Sequence, residues 1–177
     1  MSDIENYLEK KSIIYLERFS SSSNNLRSIL ISSAKKYTKE YSLNPDILGT
    51  IDRIIEKLKM KKVLDDYEYS ISKSKKYIRQ GWSKKKIYHY LLSKKVAKDI
   101  ILKCFNEIRE EFGSIDKLAA LKLAKKRKIG PFRLNQKITP ENKKKEYALM
   151  ARSGFSLDIA RNILELKDFN NLEKKLL

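Results

Sequence analysis

Residues 62–95 read KVLDDYEYSISKSKKYIRQGWSKKKIYHYLLSKK, and this stretch decides the fold. It holds two helical patterns joined by a tight corner. The first opens at Asp65-Asp66, where carboxylates suit the positive end of a helix dipole. It carries Tyr69, Ile71, Tyr77 and Ile78, and Gly81 permits a left-handed stop. Ser83 is positioned to cap the second helix, with Trp82 before it and Ile87 at the fourth helical position, the spacing of a hydrophobic staple. The rest of the surface is basic: Lys73, Lys75, Lys76, Arg79, Lys84, Lys85, Lys86, Lys94 and Lys95.

Moving outward, the same punctuation recurs. Residues 3–19 place Ile4, Tyr7, Leu8, Ile14, Tyr15 and Phe19 at spacings of three and four. The run Ser20–Ser23 with Asn24-Asn25 interrupts them, as a flexible linker or as a tight corner with Ser23 as N-cap. A second helix follows to about Tyr41. Asn44-Pro45-Asp46 is a cap, a proline at the first helical position and an acid. Ile47, Ile51, Ile54, Ile55 and Leu58 line the face that follows. Beyond the central stretch, a helix over 97–112 ends at Gly113, and Ser114 caps another that runs into Lys125-Lys126-Arg127-Lys128. Gly130-Pro131 breaks it, and 131–138 reads as a basic loop. Thr139-Pro140-Glu141 starts the next helix, Ser156 caps one through Leu166, and 170–177 extends as a frayed helix.

The chain resembles itself. At an offset of 59, Lys84-Lys85-Lys86 pairs with Lys143-Lys144-Lys145, Val96 with Phe155, Asp99-Ile100 with Asp158-Ile159, and Cys104 with Ile163. At an offset of 53, Leu43 pairs with Val96, Asp46-Ile47 with Asp99-Ile100, and Ile51 with Cys104. The reading is an all-α protein of about nine helices. They form three tandem three-helix units, 1–62, 63–113 and 114–177, the last with a basic loop at 125–138, in an elongated row. Ile51, Cys104 and Ile163 are predicted to be equivalent buried positions.

The chain has 177 residues and a net charge of +18. Residues 61–100 carry +8 and residues 113–152 carry +9, while 1–60, 101–112 and 153–177 are near neutral. Such a balance predicts attraction to a polyanion, nucleic acid first and an anionic membrane surface second. Lys outnumbers Arg by 31 to 9, and lysine lacks the bidentate fork that reads bases. Contact with DNA is therefore expected through the backbone, single- or double-stranded and without sequence specificity. Membrane insertion is not expected, because the basic helices lack a broad apolar face. The single Cys excludes an internal disulfide. No secretory signal is visible, so a cytoplasmic protein is the default.

No catalytic constellation is present. His89, the only histidine, lies between Tyr88 and Tyr90 on a basic helix. Cys104 reads as a small core residue. Asp65-Asp66 reads as helix-start acids rather than a metal pair. No cofactor or metal is expected. Among the aromatics, Tyr67, Tyr69, Tyr77, Trp82, Tyr88 and Tyr90 have helical spacing, so most read as core, with Trp82 a staple rather than a base stacker. The candidate binding residues are Lys73, Lys76, Arg79, Lys84, Lys85, Lys86, Lys125, Lys126, Arg127, Lys143 and Lys144.

Three stretches carry a resemblance to a known family. Val63-Leu64-Asp65-Asp66-Tyr67-Glu68-Tyr69-Ser70 resembles the leucine, two-aspartate, aromatic step of the bacterial regulatory protein RecX family. Gly81, Ile87 and Leu91 resemble the basic helix that follows. Arg152-Ser153-Gly154-Phe155-Ser156 resembles the family's Arg-x-Gly-Phe-Ser step. The resemblance spans essentially the whole chain. It implies a non-enzymatic, monomeric modulator of the RecA recombinase filament. Such a protein restrains ATP hydrolysis, strand exchange and co-protease activity, in DNA recombination, repair and the SOS response. A stand-alone nucleic-acid-binding protein is the alternative from the residues alone.

Overall fold

The computed structural model describes residues 3–40, 42–134 and 139–166. The expected frayed helix at 170–177 and part of the 131–138 loop lie outside them. The described residues form nine α-helices and no strand: α1 (Asp3–Arg18), α2 (Ser23–Thr38), α3 (Pro45–Met60), α4 (Asp66–Arg79), α5 (Lys84–Ser93), α6 (Lys98–Phe112), α7 (Ile115–Arg127), α8 (Pro140–Arg152) and α9 (Leu157–Leu164). A 3-10 turn, Gly130–Phe132, follows α7. The all-α expectation is met, and most boundaries fall where caps placed them. Asn44, Ser114, Thr139 and Ser156 each accept a backbone N–H three residues on. Asp65 does the same for α4, accepting from Tyr67 and Glu68 at 2.9 and 3.0 Å.

The chain divides into two compact units. One holds residues 1–70 and 91–101, the other 71–90 and 102–177. The division falls within α4, α5 and α6. In the first unit α1, α2 and α3 pack on one another around Leu8, Leu26, Leu30, Ala34, Ile51 and Ile54. Its charges pair across helices: Arg27 with Asp52 at 2.5 Å and Lys57 with Glu9 at 2.7 Å. In the second unit α9 packs on α7 and α8.

The serine run is a corner, and the linker alternative fails. Ser21, Ser22 and Ser23 are buried. Ser22, rather than Ser23, caps α2. Its hydroxyl donates to the Lys94 carbonyl, while the Ser23 N–H donates to the Asp66 carboxylate at 2.6 Å. Ser21 and Ser22 suit this place because their small hydroxyls satisfy backbone carbonyls that burial would otherwise orphan.

The proposed register is borne out locally. Ile51, Cys104 and Ile163 are each the seventh residue of their helices, α3, α6 and α9, and all are buried. Asp46, Asp99 and Asp158 are each the second residue. The offset of 59 also reproduces backbone hydrogen bonds. Val96 donates to Leu91 as Phe155 donates to Met150, both at 3.2 Å.

That bond belongs to a stop used five times. After α3, α4, α5, α7 and α8 the chain makes a six-residue closure with a left-handed residue and then an apolar one, a Schellman end. Gly81 and Gly154 fill the left-handed place after α4 and α8, with φ of 81° and 87°. A Cβ on Gly81 would also lie 2.9 Å from the Leu123 backbone, so glycine permits the approach of α7 as well as the turn. Lys62, Lys95 and Lys128 fill it elsewhere, with φ of 55°, 59° and 54°. A side chain in this region costs about 1 kcal/mol or more. Lys62→Gly is expected to stabilise the protein by about 0.5 kcal/mol after glycine's greater unfolded-state entropy is counted. Thermal unfolding followed by circular dichroism checks it, and a lowered melting temperature would reject the strain.

Candidate recombinase and nucleic-acid interface

The α4–α5 corner is rigid for reasons the residues supply. Trp82 follows left-handed Gly81 and its ring stacks on Tyr77, centroids 4.1 Å apart, while Tyr90 meets both rings edge-on. Tyr77 and Trp82 are the two residues that a Schellman end brings into side-chain contact. Lys86 Nζ lies 4.1 Å from the Trp82 ring centroid. Tyr77 takes one face of the indole and the ammonium the other, so Trp82 has no free face for a base. The expectation that it does not stack bases follows from this geometry. Ser83 caps α5, accepting from the Lys86 N–H at 3.3 Å.

Lys84, Lys85 and Lys86 are the first three residues of α5, and no acid occupies that turn. Three cations at the positive end of a helix oppose its dipole. The fold offsets this locally. Asp116, at the start of α7, accepts the Lys84 N–H at 2.7 Å. Lys84 Nζ lies 5.3 Å from the Phe105 centroid, a second cation–π contact. All three lysines remain exposed. Lys73, Lys76 and Arg79 continue the basic surface on α4, at successive steps of three.

The second basic block divides into two. Lys125, Lys126 and Arg127 occupy the last turn of α7, where cations agree with the dipole. Helix stability alone accounts for their place. Lys143 and Lys144 lie one turn into α8, exposed, behind the first-turn acid Glu141. The two blocks approach through backbone corners: a Cβ on Gly154 would lie 2.6 Å from Ser83 Oγ, beside the start of α5. Among the described residues, no ion pair holds Lys76, Arg79, Lys84, Lys85, Lys86, Lys126, Arg127, Lys143 or Lys144.

Sequence reasoning missed a buried pair beside this block. Arg133, after the 3-10 turn, is held against Glu146 of α8 by two hydrogen bonds, one of 2.6 Å from Nε. Glu146 also accepts the Gly130 N–H at 3.3 Å. The Glu146 bond raises the Arg133 guanidinium above its usual range. Only the thirteen-residue separation along the chain joins the two, and no local pattern marks it.

Cys104 is fully buried in α6 and donates weakly to Ser74 Oγ at 3.6 Å. Burial pushes the thiol up, and the Ser74 bond pulls it back in part. A buried thiol with a raised pKa is a poor nucleophile. Cys104 is expected to resist a thiol-reactive disulfide reagent in the native protein and to react stoichiometrically in denaturant. Fast native labelling would contradict its core placement. His89 is exposed, with Tyr88 edge-on to its ring. No group of metal-binding side chains occurs among the described residues, and no helix among them is long and apolar enough to cross a membrane.

An all-helical protein with a capped, cationic helix pair is the class that this architecture defines. Comparison with known proteins narrows it. Over 160 residues, 90% of this chain and 84% of the relative, it is 28% identical to the regulatory protein RecX of Myxococcus xanthus. It is 31% identical over 107 residues to the regulatory protein RecX of Agrobacterium fabrum, covering 59% of this chain and 53% of that one. The crystal structure of RecX from Lactobacillus salivarius superposes with a TM-score of 0.68 at 18% identity, covering 93% of this chain and 97% of that one. No family model matches the chain. The similarity to RecX regulatory proteins extends over nearly the whole chain, and the solved RecX structure shares its fold.

Proposed function

We propose that this protein is a non-enzymatic regulator of the RecA recombinase. It binds the RecA filament together with its DNA and inhibits ATP hydrolysis, strand exchange and co-protease activity. Its place is the cytoplasm, as a monomer, in recombination, repair and the SOS response. Similarity to RecX regulatory proteins supports the partner. The observation that carries the DNA contact is the lysine triplet on the first turn of α5. A helix start favours acids, and here three exposed cations stand instead, with local offsets at Lys84 and Lys86. The backbone N–H groups of Lys84 and Lys86 are already bonded to Asp116 and Ser83, so ammonium groups rather than main-chain amides meet phosphate. Point charges on exposed stems suit backbone contact without base reading.

The division into three three-helix units at 62/63 and 113/114 belongs to this proposal. The shared seventh position of Ile51, Cys104 and Ile163 supports it. The central unit then presents Lys73, Lys76, Arg79 and Lys84–Lys86, and the third presents Lys125–Arg127, Lys143 and Lys144.

ATP hydrolysis by RecA on single-stranded DNA, titrated with this protein at several salt concentrations, tests the reading. Inhibition that saturates with protein is expected. DNA binding with RecA turnover unchanged at every concentration would replace the regulator with a plain DNA-binding protein.

A further inference from the structure

The end of α7 carries a cavity that shares Arg127 with the basic surface and otherwise lies outside it. It has a volume of about 540 Å³ and opens between the α7 terminus and α8. Its apolar wall is Ile129, Leu134 and Leu149. Leu134 is 64% exposed, an unusual place for a leucine unless something covers it. Its cationic rim is Arg127, Lys128, Lys145 and Arg152; Lys145 pairs with Glu141 at 2.6 Å, and no ion pair of the other three occurs among the described residues. Lys128 holds the left-handed conformation, φ 54° and ψ 47°, that glycine would take without strain. The deeper wall is set by Glu146, locked by Arg133 and so unavailable as a free carboxylate.

The geometry points to a docking site for an acidic, leucine-containing peptide segment of a protein partner. An aliphatic side chain fills the apolar wall, and flanking carboxylates meet Arg127, Lys128 and Arg152. Two observations favour a peptide over nucleic acid. The wall is aliphatic and offers no ring for a base to stack on. The volume fits one or two side chains rather than a groove that tracks several nucleotides. The site deepens the regulator reading by giving the partner contact a place apart from the α5 lysines.

The test uses the whole protein and no RecA, so its failure leaves the regulator reading standing. Labelled probes are a short peptide of alternating Glu and Leu, its Gln-for-Glu counterpart, and oligothymidylate. Fluorescence anisotropy is expected to show the Glu peptide binding more tightly than its Gln counterpart. Lys128→Gly with Arg152→Gln is expected to weaken the Glu peptide about tenfold. Oligothymidylate affinity is expected to change less than about threefold, since the α5 lysines remain. Lys128→Gly relieves backbone strain and glutamine is a good helix former at 152, and an unchanged melting temperature of the double variant separates lost binding from unfolding. Leu134→Glu, at an exposed position, is a second variant expected to weaken the peptide. Equal binding of the Glu and Gln peptides, or full binding by both variants, overturns the proposal. A loss confined to oligothymidylate assigns the cavity to nucleic acid and overturns it equally.

Discussion

Ile51→Asp is expected to unfold the first compact unit, and Ile163→Asp the second. Both isoleucines are buried, at 0% and 2% exposure, and each is the seventh residue of its helix. Truncating such a side chain to alanine already costs about 2–5 kcal/mol. Aspartate adds a carboxylate with no partner, which must be protonated or must open the unit to water. The sum approaches the whole stability of a small domain, about 5–15 kcal/mol. Circular dichroism is expected to show a large loss of helix or a collapsed melting temperature for each variant. Trp82, the single tryptophan, lies in the second unit and reports on it by fluorescence. Wild-type thermal stability in either variant would show that the repeat register is misplaced.

Changing Lys84, Lys85 and Lys86 together to Glu is expected to remove most DNA affinity and to abolish inhibition of RecA ATP hydrolysis. The variant reverses three exposed charges on one helix turn. For the wild-type protein, log affinity for single strands is expected to fall with log salt at about −0.7 per phosphate contacted. Loss of the triplet is expected to flatten that slope. Binding to the filament is expected to be less salt-sensitive, because a protein interface adds apolar contacts that salt does not screen. The helix itself is not expected to melt. Acids in the first turn gain about 0.3–1 kcal/mol each from the dipole, against similar losses at the Trp82 and Phe105 rings. A carboxylate at position 84 would face Asp116, so a version with Lys84→Gln separates repulsion from lost contact. Lost DNA binding with full inhibition of RecA would move the protein contact elsewhere. The cavity at the end of α7 is then the place to look.

The caps and breakers were legible in the chain because they act locally. Asn44-Pro45, Ser83, Ser114, Thr139-Pro140 and Ser156 each satisfy an amide within three residues, so neighbours along the chain determine them. The Asp-Ile step, with an apolar residue three before the Asp and a core residue five after it, was equally legible, because helical periodicity needs no tertiary partner to be read. Candidate lysines were found by charge density, which composition contains.

Tertiary structure decided the rest, where the deciding partner is far away in sequence. Burial of Ser21–Ser23 depends on Lys94 and Asp66, about 40 to 70 residues on. Whether a serine run is a linker or a corner therefore has no local answer. The lysines at 62, 95 and 128 accept a left-handed backbone because packing after the turn requires it, and nothing in a lysine announces that. Ser83 and Gly130-Pro131 already placed Lys84–Lys86 at a helix start and Lys125–Arg127 at a helix end. What the sequence could not show is Asp116 arriving from another helix to make the first triplet tolerable.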